Sequence, residues 1–379
     1  MSGAGGLIAL AAGGTGGHLF PAEALAQELK RRGWRILLAT DARGARYASA
    51  FPADERFMIS AASPSIGGPV AKAAAAVALA GGLMTGLREF RKRRVAAAVG
   101  FGGYPSFPAM KAAQLLGIPF GVHEQNGVLG RANRMVVGGA EFIAHGFTVL
   151  DKAPAKLRDK LIEVGNPVRD AVRAVADERY PALDDSSKIF VLVFGGSQGA
   201  SLFSRVVPAA IAGLPAPLRA RLSVTQQVRE AEITDVRKIY DAAGVAAELA
   251  PFFTDLPARI AHAHLVVARA GASTVTELST IGRPSVLAPL AIAMDDHQTG
   301  NARALSDAGA AIRIGESDFT AEAVSARLHD LLTDPALLHH MAAAAKGRVK
   351  ANASSTLADL VEKIAAGKSR KREKEPPHE

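Results

Sequence analysis

Short apolar runs alternate along this chain with longer stretches in which apolar residues recur at helical spacing, and loops of small residues separate them. Leu7 to Ala12 is the first run and predicts a buried strand. Pro21 to Arg32 predicts a helix through Ala22, Leu25, Ala26 and Leu29, stopped by Gly33, and Trp34 to Thr40 predicts the next strand. The pattern returns at Val95 to Val99, then the loop GFGGYPSFP, then a helix through Leu116. Ile118 to Val122 predicts a further strand, ending in the polar cluster HEQN. Strands alternating with helices predict parallel sheets covered on both faces.

The rhythm breaks around Gly165–Asn166–Pro167, and a charged segment with Pro181 and Asp184–Asp185 reads as a connector up to Ser187. Ile189 to Phe194 and GGSQGAS then repeat the opening device of strand, glycine turn and helix. The chain is therefore α/β, with two similar lobes that each begin on a glycine-rich turn. Ligands in such lobes bind beyond the carboxyl ends of the strands, so facing lobes would share a cleft. Two segments stand outside the scheme. Val70 to Leu87 is largely apolar, interrupted by Lys72, and runs into REFRKRR, Arg88 to Arg94. Lys368 to Glu379 is a charged, Pro-containing stretch that predicts a disordered tail.

Composition sharpens this picture in three respects. At 379 residues the chain is too long for one ordinary core, and 49% hydrophobic with 21% charged residues is a globular balance. The absence of cysteine excludes a disulfide framework and thiolate metal sites, and it fits a reducing cytoplasm. No signal peptide is expected, because a basic n-region is missing and Leu7 to Ala12 is too short for an apolar h-region. The net charge of +9 is one-sided: up to Leu150 there are 16 Lys and Arg against 8 Asp and Glu. A one-sided basic surface attracts an anionic partner, either nucleic acid or an acidic membrane face.

The first loop, AAGGTGGHLFP (Ala11 to Pro21), carries the candidate chemistry. Glycines after a strand let the backbone approach a ligand, and the following helix N-terminus favours an anion. GGTGGH and GGSQGA both suit a diphosphate, and both also suit a plain strand-to-helix turn. Neither holds the lysine of a P-loop, and Leu19 occupies the third position of the dinucleotide fingerprint. Asp41, at the end of the second strand, stands where a ribose-binding acid would. His18 is either a polar residue satisfied by nearby backbone or a general base, kept neutral by the helix N-terminus.

GGTGGH, GFGGYPSFP, HEQN, VGNPVR, GGSQGA, RAGASTVTEL and DDHQTGNA, in this order from about Leu7 to Asn301, closely resemble the MurG family. These are bacterial glycosyltransferases that add N-acetylglucosamine to lipid I and make lipid II for peptidoglycan. The resemblance implies a GT-B fold of two Rossmann-like lobes whose parallel sheets face an inter-domain cleft. On it, residues 1–165 form the acceptor- and membrane-facing lobe and 166–187 the linker. Residues 188–345 form the UDP-sugar lobe, 346–367 a helix returning to the first lobe, and 368–379 the tail.

The same resemblance implies roles for individual residues. Thr15, Gly16 and Gly17 approach the donor, UDP-N-acetylglucosamine, and Asn126, Arg169 and Ser197 match donor-binding positions. Phe253 matches a position whose backbone meets the uracil. Ala272, Ser273, Thr274, Val275 and Thr276 open a helix whose N–H groups would hold the UDP diphosphate. Glu277 would take both ribose hydroxyls and Gln298 the sugar. His18 is the candidate base on the C4 hydroxyl of the acceptor, lipid I, with Gly14, Tyr104, His123 and Glu124 as acceptor contacts. Taken singly, Glu277 could merely suit a helix dipole, Asn126 and His123 cap a strand end, and Gln298 be a solvated helix residue. Ala270 stands where many members carry Ser, and LAPLAIAMDDHQ varies ahead of its shared end.

The family transfers the sugar with inversion in one displacement. Asp295–Asp296 are adjacent rather than spaced as in a DxD motif, and no His cluster has ligand spacing, so no metal and no cofactor is expected. Helix N-termini and loop amides would then stabilise the departing UDP. The acceptor's polyprenyl tail implies peripheral attachment at the cytoplasmic face of the bacterial inner membrane, and other cell-wall synthesis proteins as further partners. Val70 to Arg94 would meet an anionic membrane surface, with apolar residues dipping in and Arg91, Arg93 and Arg94 on the headgroups. Lys72 leaves Ala73–Leu87 short of a span, and a buried Ala-rich helix with a basic end reads equally well. Three rivals remain: a GT-B UDP-sugar transferase with another lipid or small-molecule acceptor, a nicotinamide dehydrogenase, and a nucleic-acid binder. The last lacks interleaved aromatics, at 5% of residues, and no nucleic-acid partner is expected.

Overall fold

In the computed structural model, β1 (Leu7–Ala11) is buried along its whole length, as a central parallel strand must be. The structure describes residues 5–373 except 47, 63–67, 185, 197–200, 291–295, 348–349 and 351, with side chains through 367. Two units emerge: residues 1–169 with 350–379, and residues 170–349.

The first unit holds β1, β2 (Arg35–Thr40), β3 (Glu55–Met58), β4 (Val95–Gly100), β5 (Phe120–Glu124), β6 (Ile143–His145) and β7 (Leu161–Glu163). They form one parallel sheet in the order β3-β2-β1-β4-β5-β6-β7. Successive residues of β1 serve opposite faces. Leu7, Ala9 and Ala11 join a core with Phe90, Ala109 and Ala112, from helices Pro69–Lys92 and Ser106–Leu115. Ile8 and Leu10 join a second core with Leu25 and Leu29 of helix Gly16–Arg31. The C-terminal helix, Ala353–Glu373, adds Leu357, Ala358 and Val361 to that second core. Arg32 pairs with its Asp359 at 2.6 Å and Glu362 at 2.9 Å, and the Trp34 indole donates to Glu362 at 2.8 Å.

Two helix boundaries differ from the expected ones. The first helix starts at Gly16, not Pro21, so Gly16, Gly17 and His18 make its opening turn and Pro21 lies inside it. Thr15 supplies an extended residue at the cap. The far end is as expected: Gly33 takes φ +84, its N–H reaches Lys30 O, and Trp34 N–H reaches Leu29 O. At the C-terminus the helix continues to Glu373, through the first half of the stretch expected to be disordered. KSRKRE consists largely of strong helix formers with mixed charge, which the propensity of a docked helix carries onward. Residues 374–379 lie outside the described set.

The second unit holds β8 (Ile189–Phe194), β9 (Leu222–Gln227), β10 (Ala246–Ala250), β11 (Leu265–Ala268), β12 (Ser285–Leu287) and β13 (Ala311–Arg313). Its order, β10-β9-β8-β11-β12-β13, repeats that of the first six strands of the other sheet. This is the doubly wound 3-2-1-4-5-6 order, whose direction reverses between the first and fourth strands. Residues expected as connector are fastened here. Asp170–Ala174 is helical, and the Tyr180 hydroxyl donates to His264 O at 2.8 Å. The fully buried Arg283 guanidinium reaches Arg179 O, Ala261 O and Gly282 O.

Candidate active site

In the first unit the switch point lies past the carboxyl ends of β1 and β4, and two glycine loops meet there. Gly14 (φ +82) turns the chain out of β1, and Gly102 and Gly103 (φ +84 and +72) turn it out of β4. The loops touch: a methyl group added at Gly103 would stand 2.6 Å from Gly13 O. His18 rests against the same glycines, its Cδ2 3.1 Å from where a methyl group on Gly102 would be. The Thr15 hydroxyl lies 3.4 Å from His18 Nδ1, so one glycine loop carries both the imidazole and a group that orients it. Tyr104, in the turn after Gly103, is half-buried. Asp41 is no ribose acid: only 8% exposed, it accepts from Gly14 N at 2.9 Å and Gly44 N at 2.8 Å. It braces the loop from beneath.

HEQN closes β5 and holds the next wall. Glu124, 2% exposed, accepts the main-chain N–H and side-chain amide of Asn126 on one oxygen, at 3.1 and 3.0 Å. Its other oxygen takes Gly130 N at 2.9 Å and Asn133 Nδ2 at 2.8 Å. His123 is completely buried, with Nε2 3.0 Å from Gly165 O and Nδ1 3.1 Å from Gln125 Nε2. These partners fix Nε2 as the donor and Nδ1 as the acceptor, and burial lowers the ring's pKa to about 4. His123 and Glu124 were expected to touch an acceptor; both are instead spent within the protein, Glu124 orienting Asn126 and His123 tying β5 to VGNPVR. At the end of that segment the Arg169 guanidinium lies 3.8 Å over the Phe20 ring. The pattern along the first helix gave Phe20 no such role.

In the second unit the corresponding loops follow β8 and β11. Ser197, in the first of them, lies outside the described residues. Gly271 caps helix Ala272–Ile281, so Ala272, Ser273 and Thr274 form its first turn and present the N-terminal N–H groups. Val275 is core, and the Thr276 hydroxyl returns to Ala272 O. Glu277, further along the helix, is 6% exposed. Arg269, just before this loop, donates to Ala288 O, Pro289 O and both oxygens of Glu316. Asn301 Nδ2 holds Ala270 O at 3.1 Å. Gln298 uses Oε1 to accept Leu290 N at 3.0 Å. The Phe253 ring is buried beneath the Arg259 guanidinium. Among the described residues, no group of three or more His, Asp or Glu could hold a metal ion.

The chain matches the glycosyltransferase family 28 N-terminal domain over residues 8–144 and the family 28 C-terminal domain over 190–362. It is 50% identical over 364 residues to the UDP-N-acetylglucosamine--N-acetylmuramyl-(pentapeptide) pyrophosphoryl-undecaprenol N-acetylglucosamine transferase of Methylorubrum populi. That alignment covers 96% of this chain and 98% of the relative. The enzyme of the same name from Caulobacter vibrioides is 47% identical, over 95% of this chain and 99% of its own. The crystal structure of Acinetobacter baumannii MurG superposes with a TM-score of 0.73 at 29% identity, covering 94% of this chain and 99% of that one. This chain belongs to the MurG family. The fold is accordingly GT-B, and GGTGGH, GFGGYPSFP, HEQN and RAGASTVTEL lie at the carboxyl ends of β1, β4, β5 and β11.

The first unit also holds the helix Pro69–Lys92. It is long and apolar enough to cross a membrane by length and composition. It is not the buried core helix that was one of two readings. Val70, Val77 and Met84, seven residues apart, are 84%, 73% and 67% exposed. The opposite face packs closely through glycines: a methyl group on Gly86 would lie 3.0 Å from Ala112 Cβ. The basic end is divided. Arg93 is drawn inward between Glu55 and Glu89, so it is not the headgroup cation expected, whereas Arg91, Lys92 and Arg94 are exposed.

Proposed function

We propose that this protein transfers N-acetylglucosamine from UDP-N-acetylglucosamine to the C4 hydroxyl of the N-acetylmuramyl residue of lipid I, with inversion, giving lipid II. The observation that carries the reading is the end-to-end correspondence with enzymes of that name, which includes the acceptor lobe. A shared donor lobe alone would leave the acceptor open.

In the reaction His18 takes the C4 hydroxyl proton as that oxygen attacks the anomeric carbon from the face opposite UDP. The C1–O bond to the diphosphate breaks, and UDP leaves with the electron pair. Thr15, Gly16 and Gly17 approach the donor, with Thr15 also orienting the imidazole, and Gly14 and Tyr104 meet the acceptor. In the second unit the first-turn N–H groups of Ala272, Ser273 and Thr274 stabilise the charge growing on the diphosphate. Glu277 takes the ribose hydroxyls, Phe253 meets the uracil through its main chain, and Gln298 meets the sugar. Asn126, Arg169 and Ser197 complete the donor set, with Asn126 held by Glu124 and Arg169 by Phe20.

The exposed face of Pro69–Lys92 supports peripheral attachment to the cytoplasmic face of the inner membrane. One side of the helix is fixed to the protein while Val70, Val77 and Met84 are turned outward, which suits a helix lying in the interface rather than one spanning it. Transfer of labelled N-acetylglucosamine to lipid I, set against other UDP sugars as donors, tests the assignment. Turnover confined to UDP-N-acetylglucosamine and lipid I is expected. Equal turnover with an unrelated acceptor would leave a GT-B transferase of different specificity.

A further inference from the structure

Gln227 is the last residue of β9, the strand between β8 and β10, and no donor-binding motif contains it. Its carboxamide lies across the carboxyl ends of all three strands. Oε1 accepts the main-chain N–H of Gly195 at 3.1 Å, and Nε2 donates to Pro251 O at 3.1 Å. Gly195 opens the glycine turn that follows β8, and Pro251 opens the turn that leads to Phe253. The parallel ladder between β9 and β10 closes with Val228 N on Ala250 O. Beyond that point the Gln227 side chain continues the pairing that the backbone has ended. Its neighbour Gln226 faces the other way, accepting the Tyr240 hydroxyl at 2.5 Å.

We infer that Gln227 is a positioning residue, which sets the spacing of the glycine turn at Gly195 to the uracil-binding turn at Pro251–Phe253. The inference rests on reading the second unit as the UDP-sugar site. On that reading the two turns lead to donor-binding residues, Ser197 and Phe253, so their separation must match one ligand before the ligand arrives. At 8% exposure the side chain works through these two main-chain groups rather than on the ligand. The two ends of the carboxamide are not interchangeable: an acceptor must face Gly195 and a donor must face Pro251. A carboxylate satisfies the first only. A protonated carboxylic acid satisfies both.

Two variants, Gln227→Met and Gln227→Glu, test this with UDP calorimetry, donor and acceptor kinetics and thermal midpoints. Gln227→Met removes both bonds at similar volume. UDP Kd and donor KM should each rise about tenfold, with kcat at saturating donor within about twofold and acceptor KM unchanged. For Gln227→Glu, the ratio of its UDP Kd to that of the wild type should fall toward one as pH drops from about 8 to about 5.5, as the side chain gains its proton. A lowered thermal midpoint with UDP affinity unchanged in both variants would reduce Gln227 to a structural residue and overturn the inference. If Gln227→Met does not fold, the pH profile of Gln227→Glu decides alone, and a flat ratio overturns it. Failure of the wild type to bind UDP would remove the donor reading itself, and the bridge with it.

Discussion

The Asp41 carboxylate accepts the main-chain N–H of Gly14 at 2.9 Å, across 27 residues of sequence. The same oxygen takes Gly44 N at 2.8 Å, and Arg43 pairs with the other oxygen at 3.2 Å. One buried carboxylate thus joins the end of β2 to the turn that carries His18. Asp41→Ala strands two buried N–H groups and should cost about 2–6 kcal/mol, from about 1–3 for each unsatisfied donor. Asp41→Asn keeps an acceptor oxygen and should cost less. Urea unfolding followed by the single tryptophan, Trp34, reads this directly, because Trp34 lies in the same unit. Equal midpoints for Asp41→Ala and the wild type would refute the brace.

His123 makes stability depend on pH. Burial lowers its pKa from 6.5 to about 4, so between those values the unfolded chain takes up a proton that the folded one refuses. The stability associated with the neutral ring is complete above pH 6.5 and is lost as pH falls toward 4, about 3 kcal/mol in all. His264 is shifted in the same direction by burial but lies in the other unit. The carboxyls of Glu28, Asp54 and Glu89 in the first unit are also held below their usual values, so Trp34 fluorescence in urea at several pH values from about 5 to 6.5, where those carboxylates stay largely ionised, reads His123. His123→Gln should flatten the profile, and an unchanged acid slope in that variant would remove His123 as its cause.

The repeated strand–glycine–helix device made both sheets and their switch points legible, because buried parallel strands are almost wholly apolar and glycine turns interrupt them sharply. The polar residues that organise the loops were harder to read. Asp41 follows RILLAT, Glu124 ends FGVHE and Gln227 ends LSVTQQ. Each is a polar residue closing an apolar strand, and each proves to be a buried acceptor of loop N–H groups. That position is a usable signal, but for Asp41 and Gln227 a bonded main-chain group, Gly14 or Gly195, is distant in sequence and leaves no pattern of its own. The early start of the first helix was hidden for a related reason: Gly16 and Gly17 carry no side-chain periodicity, and Pro21 looks like a first-turn residue. Arg93 looked like one more cation in REFRKRR, since only the fold brings Glu55 beside it.

That division of the basic cluster separates two variants. Arg91→Glu together with Arg94→Glu should weaken binding to anionic vesicles by on the order of tenfold or more, from about 1 kcal/mol per cation near the surface. Neutral vesicles should show little change. Arg93→Ala should leave vesicle binding near the wild type but lower stability, because it strands Glu89, whose carboxyl Arg93 and Arg88 hold below the usual range. Vesicle co-sedimentation and urea titration separate the two effects. Loss of vesicle binding in Arg93→Ala at full stability would return Arg93 to the membrane face.

The stack of Arg169 on Phe20 predicts a modest effect on donor use. Phe20→Leu keeps an apolar side chain but removes the ring face, and loses about 0.5–1 kcal/mol of cation–π attraction. Donor KM should rise about two- to fivefold, with Phe20→Tyr close to the wild type. Steady-state kinetics at saturating acceptor measure this, and a donor KM unmoved by Phe20→Leu would show that the ring does not position Arg169.

The contact between His18 and Gly102 bears on the chemical step itself. If the imidazole takes the acceptor proton, His18→Ala should lower kcat by about 10²–10⁴-fold and leave UDP affinity unchanged. Gly102→Ala probes the same group without removing it. At φ +84 a Cβ is strained, and it would stand 3.1 Å from His18 Cδ2 and 3.3 Å from Nε2, so the ring must move aside. Because proton transfer depends on the placement of that nitrogen, kcat should fall by about 10–100-fold, again with UDP affinity unchanged. Loss of UDP binding in either variant would place His18 in the donor site. A kcat above about a tenth of wild type in His18→Ala would assign the base elsewhere.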